Sequence, residues 1–252
     1  MDGKELILTG QSIHRGNLIL VNGQHPIQEE MRSDCVPVNE RETQILLHIR
    51  AAACLAGLLA EIGGTGKIVS VSGYRTREEQ EEIYRDSMKE NGEAFTRQYV
   101  ALPDRSEHQT GLAIDLGLKK SVIDFIRPSF PRIGICGTFR KKAARYGFIE
   151  RYPKGKEAVT GIAEEPWHFR YVGYPHSVIM AERGLCLEEY ETFLERYPYG
   201  GEHLILEMPE EGCVEIFYAG ARRSVIIPKD AVAEISGDNR SGRIVTLWRK
   251  NV

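Results

Sequence analysis

His108 and Asp115 stand seven residues apart in SEHQTGLAIDLGL (106–118). On one straight strand that separation spans about 23 Å, too far for both to reach one ion. The chain must bend between them, and Thr110-Gly111 offers the place. Sixty residues downstream, EEPWHFRY (164–171) supplies His168. Two imidazoles and a carboxylate make three N/O ligands and leave a fourth tetrahedral position for water, the mark of a catalytic rather than a structural zinc site. Such chemistry needs a carboxylate beside the water, to take its proton and later return one to a leaving amine. Glu165 precedes Pro166, which biases it to an extended or turn conformation from which it can lean over the site. Its neighbour Glu164 reads as a solvated loop charge. Arg75, in SGYRT (72–76), is a candidate to steady an oxyanion or bind a substrate carboxylate. Each of these side chains alone is more simply read as an ordinary hydrogen-bonded residue. The set is what favours a metal site. The helical H-E-x-x-H arrangement is absent.

The elements that must position these residues can be read coarsely. KIVSVSGY (67–74) is a buried strand leading to Arg75, and Thr76 with Glu79 is a capping box that opens a helix over about 77–91. GLAIDLGL carries Asp115 on a strand, and WHFRYVG (167–173) carries His168 on another. A long helix is expected over 39–62, started by Asn39 with Glu42, with His48 inside it at a boundary position. Further helices are expected at 137–148, 176–183 and 187–197. Residues 5–21 read as short strands or a hairpin, and GNLILVNG (16–23) is rich in β-formers. LILEM, CVEIFYA, SVIIP, AEIS and RIVTLW are short β runs separated by PEEG, AGARR and GDNRSG turns. They predict a small all-β appendage over 202–252, after a main domain over 1–201.

Composition excludes several classes. With 42% hydrophobic and 27% charged residues and a net charge of −3, the chain is globular and has no basic stripe for nucleic acid. Five scattered cysteines without a C-x-x-C pair exclude a disulfide framework or a zinc knuckle and are expected to be small buried hydrophobes. The longest apolar stretch, 51–63, is too short to span a bilayer. The N-terminal MDGKELILTGQSIHRG lacks the pattern of a signal peptide, so a cytoplasmic location is expected. The remaining histidines, His14, His25, His48, His176 and His203, have no ligand-spaced partners.

Ser106-x-His108-x-x-Gly111-x-Ala113-x-Asp115, then Glu165-x-x-His168, preceded by Ser72-Gly73-Tyr74-Arg75, resembles the VanY/VanX/VanXY group of D-alanyl-D-alanine metallopeptidases over roughly residues 35–197. The resemblance implies an α+β fold with a central antiparallel sheet flanked by helices, of the lysostaphin and hedgehog type. It implies one zinc ion held by His108, Asp115 and His168, with Glu165 as general base and then acid, and Arg75 at the oxyanion. It further implies Ser106, Gln80, Trp167 and Tyr74 as substrate contacts. The substrates it implies are the D-Ala-D-Ala dipeptide and the peptidoglycan precursor pentapeptide. A core of this type without an anchor resembles the cytoplasmic VanXY enzymes, which combine dipeptidase and carboxypeptidase activities in vancomycin resistance. The 202–252 segment resembles the longer form from clusters of the D-Ala-D-Ser type; a homodimer contact and protection of a sheet edge are both open roles for it. Two alternatives remain at this point: a carboxypeptidase only, as in VanY, and a hedgehog-like module that keeps zinc without turnover.

Overall fold

The computed structural model describes residues 3–10, 12–29, 31–208 and 212–249. In chain order its elements are β1 (Gly3–Ile7), β2 (Cys35–Pro37), β3 (Leu46–His48), α1 (Ile49–Glu61), β4 (Ile68–Ser72), α2 (Arg77–Glu90), α3 (Glu93–Tyr99), β5 (Ala113–Leu118), α4 (Gly134–Ala143), β6 (Phe148–Glu150), α5 (Glu157–Thr160), β7 (His168–Tyr171), α6 (His176–Arg183), α7 (Leu187–Leu194), β8 (Leu204–Met208), β9 (Gly212–Gly220), β10 (Ser224–Pro228), β11 (Val232–Gly237) and β12 (Arg243–Arg249). The fold is α+β with antiparallel sheets, as the family resemblance implies. The chain forms two compact units, Val21–Cys186 and a second made of Met1–Leu20 with Leu187–Val252.

The unit Val21–Cys186 is built on a four-stranded sheet in the order β4-β5-β7-β6. β5 is inner, and five of its six residues are buried, which is why it reads as a nearly continuous apolar run broken by Asp115. α1 turns Ala51, Ala52, Leu55 and Leu58 inward and packs against α4. Phe130, Phe139 and Phe169 meet edge to face, with centroids 4.9–5.6 Å apart, and anchor β7 in the core.

α1 begins ten residues later than the sequence pattern suggests. Asn39 Oδ1 accepts from Glu42 N at 3.0 Å, but Glu42 Oε2 accepts from the Asn39 side-chain amide at 2.8 Å and not from its backbone, so the expected capping box is incomplete and closes a turn instead of starting a helix. Residues 46–48 are drawn into β3 because their backbone finds partners elsewhere. Cys35 pairs with His48, Tyr74 N donates to Leu46 O, and His48 N donates to Gly111 O. His48 is therefore the N-cap of α1, with its Nδ1 accepting from Arg50 N, and not a residue inside the helix. By contrast, the Thr76–Glu79 capping box forms as expected. The helix expected at 137–148 runs from Gly134 to Ala143, and the last one ends at Leu194.

The second unit holds a four-stranded sheet, β11-β12-β9-β8, and a two-stranded sheet, β1-β10, around Leu8, Phe217, Val225, Ile227, Val245 and Leu247. All five β runs of the tail form strands; most of the PEEG turn lies outside the described residues. The unit also takes in α7 and the N-terminal segment, so its boundary lies after Cys186, not after residue 201. β1 is no local hairpin: Gly3 pairs with Pro228, and Leu18 N donates to Ser236 Oγ. Residues 18–20 are buried without forming a strand. The five cysteines are free thiols, of which only Cys136 and Cys186 are fully buried; Cys35, Cys54 and Cys213 are partly exposed, which corrects the expectation for those three.

Candidate active site

Sheet register alone brings two of the candidate ligands together. Asp115 on β5 lies opposite His168 on β7, and Ser72 on β4 lies opposite Asp115 on its other side. Directly opposed residues share a face of the sheet. His168 Nδ1 stands 2.9 Å from Asp115 Oδ1. The bend expected between His108 and Asp115 is a short 3-10 turn, Glu107–Thr110, closed by Gly111 in the left-handed region at φ 69°. A Cβ at Gly111 would come within 2.4 Å of Cys35 Sγ, so glycine is required by both conformation and space. The turn carries His108 back over β5, with Nε2 3.0 Å from Asp115 Oδ2. One ligand atom from each of the three residues falls within 4.8 Å of the other two, and all three side chains are buried.

The orientation of His108 is set from behind. Its Nδ1–H donates to Gly73 O at 2.7 Å, which turns the Nε2 lone pair toward Asp115 and His168. Two nitrogens and a carboxylate converging in this way form a donor set of the type zinc takes. Burial, with Arg75 beside it, lowers the His108 pKa to about 4, so the ring is neutral and able to ligate at physiological pH. Burial also lowers His168, but the carboxylates of Asp115, Glu107 and Glu165 together outweigh it and raise the ring to about 9. Asp115 is pulled well below the usual carboxylate range: the two histidines more than offset its burial. A cation at this point would therefore displace a proton from His168.

Glu165 lies in a turn whose ends are tied by Glu165 N to Tyr152 O at 3.1 Å and by His168 N to Glu165 O at 3.2 Å. Its Oε2 is 3.7 Å from His168 Nδ1, beside the ligand atoms. Burial raises its pKa to about 8. Arg75 is held by three side chains: Nε donates to Ser72 Oγ at 2.9 Å, Nη1 to Gln80 Oε1 at 3.0 Å and Nη2 to Asp115 Oδ2 at 3.1 Å. Such a guanidinium is preorganised for charge that develops near the ligands. Glu164, the neighbouring carboxylate, pairs with Arg132 at the surface at 2.6 Å.

Ser106, Gln80 and Trp167 line a cleft together with the ligand triad, Glu165 and Arg75. Gln80 is nearly fully buried, and its amide is engaged with Arg75 on one side and Ala101 O at 2.8 Å on the other. Tyr74 does not line this cleft; Arg32 stacks over its ring at 5.5 Å. Tyr152, Phe125 and Ile126 also line the cleft and were not expected from the sequence. They come from segments without motif or period. The fully buried Arg151 and Arg170 were missed as well; Arg170, the lone charge in the apolar strand WHFRYVG, was a visible signal, whereas Arg151 follows Glu150 in a charged stretch that gives none.

Fold and site together define a class: an antiparallel-sheet protein with a buried His–Asp–His cluster that could hold a metal ion, beside a carboxylate and a fixed guanidinium. The family of VanY, D-alanyl-D-alanine carboxypeptidase, matches residues 44–174. The bifunctional D-Ala-D-Ala dipeptidase and D-Ala-D-Ala carboxypeptidase VanXYC of Enterococcus gallinarum is 43% identical over 181 residues, covering 70% of this chain and 94% of that protein. Among solved structures, the vancomycin resistance D,D-dipeptidase VanXYg, in complex with a D-Ala-D-Ala phosphinate analog, superposes with a TM-score of 0.94 at 48% identity, covering 99% of this chain and 100% of that one. A mutant of the D,D-pentapeptidase VanY from the VanB-type resistance cassette, in complex with Zn(II), gives a TM-score of 0.57 at 32% identity, covering 69% of this chain and 98% of that one. The chain belongs to the VanY D-alanyl-D-alanine carboxypeptidase family.

Proposed function

We propose that this protein is a zinc-dependent D,D-peptidase of glycopeptide resistance. It hydrolyses the D-Ala-D-Ala dipeptide and removes the terminal D-Ala from cytoplasmic peptidoglycan precursor pentapeptides. The observation that carries the proposal is the convergence of His108, Asp115 and His168 beneath Glu165 and Arg75 in one cleft. The bifunctional activity of the VanXYC relative and the bound dipeptide analog of VanXYg support the choice of substrates. Among the described residues, no helix is long and apolar enough to cross a membrane, which is compatible with precursors as substrates.

His108 Nε2, an Asp115 oxygen and His168 Nδ1 would hold one zinc ion. When bound, the ion supplies Lewis acidity to the attacking water and the scissile carbonyl. Glu165 takes the proton from that water. Its buried carboxyl is stable in the protonated form, and the positive charge of a cation beside it draws its pKa back toward neutrality. Arg75 faces the negative charge that develops on the carbonyl oxygen as the water's oxygen bonds to carbon. Glu165 then gives its proton to the amine of the departing D-alanine as the C–N bond breaks. Ser106 and Trp167 on the cleft wall orient the short substrate, and the catalytic unit is Val21–Cys186.

The test is D-alanine release from the dipeptide and from a precursor pentapeptide, each with and without a chelator. Release from both, abolished by chelator and restored by zinc, is expected. Release from the pentapeptide alone would leave a carboxypeptidase of the VanY kind. No chelator-sensitive release from either would overturn the proposal in favour of a binding module.

A further inference from the structure

Next to His168, with Glu107 in the wall of the cleft, lies a buried charged cluster that the mechanism above does not use. Glu107, the residue before His108, points its carboxylate beneath β7. Its Oε1 accepts from Arg151 Nε and from Arg170 Nη1, each at 2.7 Å, and the side chains of all three are fully buried. Arg170 follows His168 by two residues on β7 and so shares its face of the strand. Arg151 N donates to His168 O at 3.2 Å. Two buried guanidiniums on one carboxylate are costly to desolvate. The other carboxylate oxygen, Glu107 Oε2, faces His168 Nε2 at 3.6 Å. Neither of these two buried atoms has a hydrogen-bond partner among the described residues.

We infer that Glu107 is a positioning residue for His168. A proton on Nδ1 would be shared with Asp115 and would block the ligand atom. A proton on Nε2 would be accepted by Glu107 Oε2, after a movement of a few tenths of an ångström, and would leave the Nδ1 lone pair facing the metal. Glu107 selects the second tautomer. Arg151 and Arg170 hold Glu107 in place by engaging the oxygen that His168 does not need. The same short turn thus supplies one ligand, His108, and orients another, His168. This inference rests on the metal site proposed above.

The substitution Glu107→Gln tests it. The arginines retain the carbonyl oxygen of the new amide, so its NH2 group faces His168 Nε2 as a donor and favours the wrong tautomer. Zinc affinity, measured by competition with a chromophoric chelator, should fall by about 10- to 100-fold. The metal-free variant should melt below the parent, because two buried guanidiniums lose their shared counter-charge, so the affinities are compared at a temperature where both proteins are folded. Unchanged zinc affinity would overturn the inference. Nitrogen-15 spectra of the zinc-loaded parent protein decide the point even if the variant does not fold. A His168 ring with Nδ1 metallated and a hydrogen-bonded Nε2–H is expected; a ring metallated through Nε2 would overturn the inference. A parent protein that takes up no zinc would overturn the metal site itself, and this inference with it.

Discussion

The two four-stranded antiparallel sheets of this chain fill their interiors with different chemistry. In β9 and β12 the buried positions include Val214, Ile216, Phe217, Val245 and Leu247, residues whose burial stabilises without setting any side chain in a demanding geometry. In β5 and β7 the corresponding interior also holds Asp115, His168 and Arg170. A strand that needs only to pack has no use for such residues, because each must find a partner or destabilise the fold. In β5 and β7 they do find partners, in Arg75, His108 and Glu107, and each partner is itself held by others. Polar burial of this density marks where the fold gives up easy stability for chemistry.

The contrast can be broken or sharpened by substitution. The largest effect is expected at Glu165: Glu165→Ala should retain zinc by metal analysis while D-alanine release slows by about 10²–10⁴-fold. Near-normal turnover would remove Glu165 from its role. Next is Arg75→Lys, since an ammonium cannot serve three partners in a fixed fork. A fall of about 10²–10³-fold in kcat is expected, with zinc content unchanged. In the other sheet the pattern should invert. Leu247→Ala should cost about 2–5 kcal/mol of stability by denaturant titration, with kcat per folded molecule unchanged. A comparable loss of kcat there would erase the distinction between the sheets. The smallest effect is graded by pH. Because zinc must displace a proton from His168, whose pKa is raised to about 9, affinity should weaken as pH falls below that value. The slope is about tenfold per pH unit for one proton. His108, lowered to about 4, adds to the loss only in stronger acid. Chelator competition between pH 6 and 8 would show this slope; a flat profile would contradict the proton assignment.

The local signals that proved legible were those closed within a few residues. The Thr76–Glu79 box, the strand alternation of the tail and the ligand-bearing strands β5 and β7 all appear where their patterns place them. The start of α1 was not legible, because Ile45–His48 is apolar at helical spacing as well. What decides it is distant backbone, from residues 35–37, 74 and 111, that no local pattern carries. The site divides along the same line. His108, Asp115, Glu165 and His168 are visible as motif residues, and the structure brings them together. Tyr152 and Phe125 reach the cleft only through the tertiary fold. Tyr74, adjacent to Arg75 in sequence, is carried away from the cleft.

Gly73 gives the architecture a weakness that its chemistry would not suggest. It carries no functional group, yet a Cβ there would come within 2.1 Å of Leu46 O. Any side chain would wedge β3 away from the strand that ends at Ser72 and would shift the carbonyl on which His108 leans. Across a library of random substitutions, this position should tolerate change as poorly as a ligand does, and for a steric reason. An inventory of reactive atoms would pass over it, whereas a survey of surviving variants would place it beside His108.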